Sequence, residues 1–101
     1  MIENLFSLKG RVALVTGGSR GIGKMIAQGF VESGSKVYIS ARKADACDAT
    51  AAELSKFGEC ISLPQDISTV AGAKALAEQI YKLEGKLDIL VNNAGAAWAA
   101  D

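Results

Sequence analysis

Four short apolar runs, separated by longer segments of helical spacing, set the pattern of the chain. The runs are continuous rather than alternating with polar residues, which is typical of parallel strands that are covered on both faces. They span residues 12–16, 37–40, 60–63 and 87–92. Because strands and helices alternate, the expected order is β-α-β-α-β-α-β, with right-handed crossovers between the strands.

Three amphipathic segments are predicted to be the connecting helices. The second covers about residues 44–57 and is rich in alanine, and the third covers about 70–83, with Asp66 to Thr69 supplying capping residues before it. The first ends at Gly34, because glycine readily adopts the left-handed backbone conformation that ends a helix. Its predicted core-facing stripe, at positions i, i+3, i+4, i+7 and i+8, is Ile22, Met25, Ile26, Gly29 and Phe30.

This pattern predicts an α/β fold, a three-layer Rossmann-like doubly wound parallel sheet of which the chain is the N-terminal portion. A length of 101 residues, half of them apolar, provides one hydrophobic core and excludes a two-domain enzyme or a disordered chain. In such sheets ligands bind beyond the carboxyl ends of the strands, where successive crossovers change sides. That position is expected between the first and fourth strands.

Composition limits the chemistry further. The 11 basic and 11 acidic residues give a net charge of zero, so neither nucleic acid nor a membrane is an expected partner. The absence of histidine argues against a catalytic triad, and Cys47 and Cys60 lack the spacing of a metal or disulfide motif, so no metal site is predicted. With no recognisable signal peptide or membrane span, the expected location is cytoplasmic.

The candidate chemistry lies in the glycine-rich turn after the first strand, residues 16–23. Glycines allow the backbone to approach an anion closely, and the start of the following helix offers free amides and a positive dipole end. The turn matches a hydrolase nucleophile elbow, but the chain has no histidine, and it matches a P-loop except that Met25 stands where Ser or Thr would bind magnesium. The Rossmann pattern Gly-x-Gly-x-x-Gly fails, because Ile26 stands in the position of its third glycine after Gly21 and Gly23. The pattern that remains is Thr-Gly-x-x-x-Gly-Ile-Gly.

Three motifs in order resemble the classical short-chain dehydrogenase/reductase family. They are residues 16–23, Asp66-Ile67 and 92–95 (Asn-Asn-Ala-Gly), and together they span nearly the whole chain. Within the family, residues 6–11 and Arg20 are most similar to the β-ketoacyl reductase branch, which includes rhamnolipid-associated reductases. The resemblance therefore implies that residues 1–101 are the NADP-binding Rossmann half of an oxidoreductase.

The resemblance also implies roles for particular residues. The loop would hold the pyrophosphate, Asp66 and Ile67 would meet the adenine, and the fourth-strand motif would line the adenosine ribose. A plain helix cap at Asp66 and a plain turn at Asn92-Asn93 are the structural alternatives. The predicted cofactor-binding residues are Gly17, Gly18, Ser19, Arg20, Gly21, Ile22, Gly23, Arg42, Asp66, Ile67, Asn93, Ala94 and Gly95.

The choice of cofactor follows from charge. A site that selects NAD needs an acidic residue after the second strand, about 20 residues beyond the glycine loop. This sequence has Ser-Ala-Arg-Lys at 40–43, and no carboxylate there would repel a 2′-phosphate. Because Arg42 can bind a phosphate in a bidentate manner and Arg20 lies in the neighbouring loop, the predicted cofactor is NADP; the alternative is that both are solvated surface charges.

Catalysis is not expected from these residues alone. The family uses a Tyr-x-x-x-Lys pair, whereas Tyr38 and Tyr81 are followed four positions on by Arg42 and Gly85, so no catalytic residue is assigned. The resemblance implies a small-molecule carbonyl substrate and a homo-tetramer or homo-dimer for the longer parent. The alternatives are a non-catalytic nucleotide-binding module and a self-associating fragment with an open edge strand.

Overall fold

The computed structural model describes residues 8–93, and it has the predicted order of strands and helices. The strand and helix boundaries lie within three residues of those expected from the sequence. The elements are β1 (Val12–Thr16), α1 (Gly21–Glu32), β2 (Lys36–Ser40), α2 (Ala44–Leu54), β3 (Cys60–Ser62), α3 (Val70–Glu84) and β4 (Ile89–Asn92).

The four strands form one parallel sheet in the order β3-β2-β1-β4. The chain starts at β1, moves outward through β2 and β3, and then crosses back to place β4 on the other side of β1. The switch point therefore lies between β1 and β4, as predicted. Thr16 is in register with both Ser40 and Asn92, so the carboxyl ends of three strands meet at one edge of the sheet.

Helices cover both faces of the sheet, which explains why the strand sequences are apolar without alternation. On one face Val15 and Ile39 pack with residues of α1 and α2 such as Val31 and Leu54. On the other face Leu14 and its neighbours pack against α3. The structure thus has the three layers of a doubly wound fold, and the predicted fold class is confirmed.

The predicted core stripe of α1 is partly wrong. Ile22 and Met25 are 68% and 72% exposed, and Gly29 also faces outward. The buried stripe is instead Gly23, Ala27 and Val31, with Ile26 and Phe30 only partly buried beside it. The reason is close approach: α1 starts directly against the turn that precedes it, so the residues that face inward there must be small.

The ends of α3 follow the sequence closely. Thr69 is the N-cap, and its hydroxyl accepts a hydrogen bond from Gly72 N at 2.9 Å. Gly85 ends the helix in the left-handed region, with φ of 74°, where a residue with a Cβ atom would be strained. The Thr69 cap fixes where α3 begins, and hence where the loop after β3 lies relative to the switch point, and Gly85 fixes where the helix ends.

The two cysteines behave as small apolar residues. Both are buried and unpaired, and Cys47 donates a hydrogen bond to the Ile39 carbonyl. Burial raises the pKa of Cys60 to about 11, which keeps the thiol protonated at neutral pH. Neither side chain lines the crevice described below.

A polar cluster links the end of α3 to β2. The Tyr38 hydroxyl, on a side chain that is almost fully buried, donates to Glu84 Oε2, and Lys36 Nζ lies 2.7 Å from the same oxygen. These bonds hold the pKa of Glu84 below its ordinary value of 4.5, while burial, followed by the bond to Glu84, raises the pKa of Tyr38 to about 12. The folded state is therefore stabilised by an ionised Glu84 and a neutral Tyr38.

We expect Glu84→Gln to lower the free energy of unfolding by about 1.5 kcal/mol at pH 7, because it removes charge-assisted hydrogen bonds. A lowered pKa in the folded state gives stability that is present above pH 4.5 and is lost as the pH falls through the folded value. The difference between the variant and the wild type should therefore shrink in denaturant titrations at pH 3. Glu78→Gln, an exposed site on the same helix, is the control, and a difference that is equal at pH 7 and pH 3 would contradict this account.

Candidate cofactor site

The turn between β1 and α1 is shaped by two glycines with positive φ. Gly17 follows β1 with φ of 69°, and Gly21 opens α1 with φ of 61°. Side chains are disfavoured in this region of backbone conformation, so glycine is needed at both positions. The Gly17 amide donates to the Ser40 carbonyl at 2.8 Å, which anchors the start of the turn to the end of β2.

Two further glycines are required by packing. A Cβ atom at Gly18 would lie 2.8 Å from Ile39 Cγ2, and one at Gly23 would lie 2.1 Å from the Gly17 carbonyl oxygen. The second contact is with the backbone, so no side-chain rotation would relieve it. Gly18 and Gly23 thus allow the turn to pack closely against the sheet and the helix.

The first turn of α1 is open to an anion. Arg20 is the N-cap in an extended conformation, its side chain makes no capping hydrogen bond, and the first turn contains no acidic residue. The first amide to bond within the helix is that of Lys24, which donates to the Arg20 carbonyl at 3.3 Å. The amides of residues 21–23 precede it and lie at the positive end of the helix dipole.

Hydrogen bonds join the end of β4 to this turn. The buried Thr16 hydroxyl contacts Asn92 Oδ1 at 3.1 Å and accepts from the Asn93 amide at 3.0 Å. Asn93 Nδ2 donates to the Gly17 carbonyl at 3.4 Å. The segments after β1 and β4 therefore form the two sides of one crevice, as the strand order requires.

A cavity of about 870 Å³ lies along this edge of the sheet. It brings together eight of the predicted site residues, whereas Gly18, Ile22 and Gly23 are not in its wall, and Ala94 and Gly95 lie outside the described residues. The eight are Gly17, Ser19, Arg20, Gly21, Arg42, Asp66, Ile67 and Asn93. The volume is within the range of small-molecule binding sites.

The charged groups in the cavity wall are mostly basic. Arg20, Arg42 and Lys43 line the cavity, and Asp66 is the carboxylate among the described residues that line it. Beside the hydrogen bonds from Ser68, the charge of Arg42 helps to lower the pKa of the Asp66 carboxyl. Lys43 was not predicted as a site residue, although its position beside Arg42 in the same turn is a signal that could have found it. Three cations and one carboxylate in the wall favour a negatively charged ligand.

Asp66 is held by the residues that follow it. Its Oδ1 atom accepts hydrogen bonds from the Ser68 hydroxyl at 2.5 Å and the Ser68 amide at 3.0 Å. These bonds, with a smaller contribution from the charge of Arg42, hold the pKa of the carboxyl below its ordinary value. Because Thr69 is the N-cap of α3, the side chain of Asp66 is not needed there, and its other carboxylate oxygen is available to a ligand.

Gly72 is a supporting residue that sequence reasoning missed. A Cβ atom at this position would lie 1.8 Å from the Asp66 carbonyl oxygen, so the first turn of α3 packs directly on the backbone of Asp66. Nothing in the local sequence distinguishes this glycine from an ordinary helix residue. Its role depends on a tertiary contact that helical spacing does not reveal.

Two features are absent from residues 8–93. No cluster of three histidine, cysteine, aspartate or glutamate side chains there could hold a metal ion. In the same part of the chain, no helix combines the length and apolar character needed to cross a membrane.

The strand order, together with the open amides at the switch point, is that of the doubly wound class, in which nucleotides commonly bind at this position. Comparison with known families is more specific, because residues 11–101 match the short chain dehydrogenase family. The chain belongs to the short-chain dehydrogenase family, as the three motifs indicated.

One similar protein is a 3-oxoacyl reductase, and another is named only as a member of the family. The chain is 59% identical over 95 residues to a rhamnolipids biosynthesis 3-oxoacyl-[acyl-carrier-protein] reductase of Pseudomonas aeruginosa, and 42% identical over 92 residues to the short-chain dehydrogenase/reductase PhomF of Diaporthe leptostromiformis. The two matches include 94% and 91% of this chain. It spans only 37% and 31% of those two relatives.

Two solved structures are similar to the chain over most of its length. The RhlG/NADP active-site complex of Pseudomonas aeruginosa superposes with a TM-score of 0.87 at 57% identity, covering 94% of this chain and 38% of that one. A hydroxysteroid dehydrogenase from Escherichia coli superposes with a TM-score of 0.86 at 38% identity, covering 94% and 39%. The resemblance seen in the sequence, including the β-ketoacyl reductase branch, is confirmed.

Proposed function

We propose that residues 1–101 form the NADP-binding half of a short-chain dehydrogenase/reductase that transfers hydride between NADPH and a carbonyl compound, a 3-oxoacyl thioester being the favoured substrate. The observation that carries the proposal is the cavity that joins the glycine turn, Arg42 and Asp66 at the switch point. The solved relative with NADP in its active site supports the choice of cofactor. When bound, the cofactor would supply the hydride.

The residues present fit the parts of a dinucleotide. The Gly21 amide and the turn from Gly17, which line the cavity, would bind the pyrophosphate, because they combine unbonded donors with the positive end of α1. Asp66, with one free carboxylate oxygen, would accept a hydrogen bond from the adenine amino group, and the neighbouring Ile67 would pack on the ring. Asn93, with Ala94 and Gly95 after it, would line the adenosine ribose.

The preference for NADP over NAD would come from the basic residues of the cavity wall. Arg42 and Lys43 follow β2 and line the cavity, as does Arg20, and a 2′-phosphate would lie among them. Position 41, directly after β2, is an alanine, so the carboxylate that would repel this phosphate is missing. Asp66 lies after β3, and its carboxylate is stabilised by hydrogen bonds from Ser68 and, to a smaller extent, by the charge of Arg42.

We assign no catalytic role to any residue of this chain. The 101 residues contain no Tyr-x-x-x-Lys pair, so we propose that the chain binds cofactor but does not reduce a carbonyl by itself. A homo-dimeric or homo-tetrameric parent stays a prediction. Self-association is favoured as a second function by an apolar groove of about 440 Å³ between α3 and β4, where Leu87 and Leu90 are 40% and 60% exposed.

An equilibrium titration tests the proposal. NADPH and NADH are added separately to the full-length polypeptide that contains these residues, and binding is followed by nucleotide fluorescence. We expect NADPH to bind at least about tenfold more tightly, as one charge-assisted contact would produce. Equal affinities would refute the cofactor assignment.

Activity, nucleotide binding and oligomeric state separate the three candidate functions. NADPH-dependent reduction of a 3-oxoacyl thioester by the full-length polypeptide would support the reductase. Binding of NADPH without reduction of any carbonyl would instead support a nucleotide-binding module. A 101-residue chain that bound neither nucleotide and sedimented as an oligomer would support the self-associating fragment.

A further inference from the structure

Thr50 reaches from α2 to the middle of the glycine turn. Its side chain is buried, with 6% of the residue exposed, and its Oγ1 atom donates a hydrogen bond to the Ser19 carbonyl at 2.9 Å. The two residues are 31 positions apart, so this contact is tertiary. Thr50 itself does not line the cavity, whereas Ser19 does.

The other anchors described above hold only the beginning of the turn. The Gly17 amide bonds to the end of β2, and the Gly17 carbonyl bonds to Asn93. Ser19 lies two residues further on, next to the N-cap of α1. The bond from Thr50 therefore fixes the part of the turn that immediately precedes the open amides.

The geometry of the peptide unit gives this bond a consequence for binding. In a trans peptide the carbonyl oxygen of one residue and the N–H of the next point in opposite directions, and the described residues contain no cis peptide. With the Ser19 carbonyl held toward α2, the Arg20 N–H is turned away from α2. If the plane rotated, the carbonyl oxygen could instead face a phosphate and repel it.

We propose that Thr50 is a positioning residue for the cofactor: it holds the Ser19–Arg20 peptide plane so that the turn presents N–H groups, and no carbonyl oxygen, to the pyrophosphate. This inference rests on the proposed function, because it takes the bound anion to be a dinucleotide. Both NADP and NAD contain the pyrophosphate. Loss of the Thr50 hydroxyl should therefore weaken both cofactors by the same factor.

The test compares Thr50→Val, which removes the hydroxyl while keeping the branched shape, with Thr50→Ser, which keeps the hydroxyl. In the full-length polypeptide, we expect Thr50→Val to raise the Kd of both NADPH and NADH about fivefold, as one neutral hydrogen bond would. Thr50→Ser should bind within about twofold of wild type. If Thr50→Val does not fold, Thr50→Ala replaces it, because Ala and Ser differ only in the hydroxyl.

Ser55→Ala is the matched control on the same helix. The Ser55 hydroxyl also bonds to main-chain carbonyls, those of Ala51 and Cys60, but it lies at the end of α2 that is remote from the turn. We expect this variant to unfold at a lower temperature and to bind both nucleotides as the wild type does. It separates a general loss of stability from the loss of turn geometry.

Hydrogen exchange of the cofactor-free protein gives a second readout. The Lys24 amide, whose hydrogen bond to the Arg20 carbonyl adjoins the Ser19–Arg20 peptide, should exchange faster in Thr50→Val than in wild type, Thr50→Ser or Ser55→Ala. Wild-type affinity and exchange in Thr50→Val would overturn the inference, as would equal losses of affinity in Thr50→Val and Thr50→Ser. A wild-type protein that bound neither nucleotide would refute the proposed function instead, so the two failures are distinguishable.

Discussion

Gly23→Ala is expected to weaken NADPH binding by at least about a hundredfold, equivalent to about 2.7 kcal/mol. The added Cβ atom would lie 2.1 Å from the Gly17 carbonyl oxygen and 2.7 Å from Asn93 Nδ2. Relief of these contacts requires α1 to move away from the turn or the two sides of the crevice to separate. Either movement displaces the amides that would bind the pyrophosphate, and fluorescence titration of the full-length polypeptide measures the loss.

Gly29→Ala is the control for this substitution. Gly29 lies in the same helix, and a Cβ atom there would meet nothing within 4 Å. Alanine should therefore stabilise the protein by about 0.5–1 kcal/mol through its higher helix propensity, with the Kd unchanged within twofold. Tight binding by Gly23→Ala, or an equal loss in Gly29→Ala, would contradict the packing described for the turn.

Arg42→Ala is expected to change the choice of cofactor. Arg42 lines the cavity, and a charge-assisted contact with a 2′-phosphate is worth about 1.5–3 kcal/mol. The Kd of NADPH should therefore rise about 10- to 150-fold, whereas that of NADH should stay within about twofold. Parallel titrations with the two nucleotides measure the difference directly.

Lys74→Ala controls for the loss of one positive charge. Lys74 is exposed on α3 and does not line the cavity, so neither nucleotide should bind differently. If Arg42→Ala weakened NADPH and NADH equally, Arg42 would have no role in selecting the phosphorylated cofactor. The presence of three basic residues in the cavity wall would then require another explanation.

The fold could be predicted because its signals are local. Continuous apolar runs identified the four buried strands, and Thr69 and Gly85 marked the ends of α3. The face of α1 was harder, because two stripes share that helix and the larger side chains, Ile22 and Met25, gave the stronger apolar signal. The stripe that packs inward contains Gly23, which is required by a contact that hydrophobic spacing does not report.

The candidate site divides in the same way. The turn, Asp66 and Asn93 follow strands whose carboxyl ends meet at one edge, so their proximity could be deduced from the order of elements. Gly72 and Thr50 could not be found, because their contacts with Asp66 and Ser19 come from the way the helices pack. Sequence motifs therefore identified residues in the cavity wall, whereas residues that support the wall required the structure.

The most direct test is to map nucleotide binding by NMR on the ¹⁵N-labelled polypeptide. The account predicts that NADP⁺ shifts the amide signals of residues 17–23, Arg42 and Asp66, and that NAD⁺ shifts the turn but has less effect at Arg42. Signals from the groove between α3 and β4, such as those of Leu76 and Leu90, should not respond directly. Shifts centred on that groove, with residues 17–23 unaffected, would contradict the proposed site.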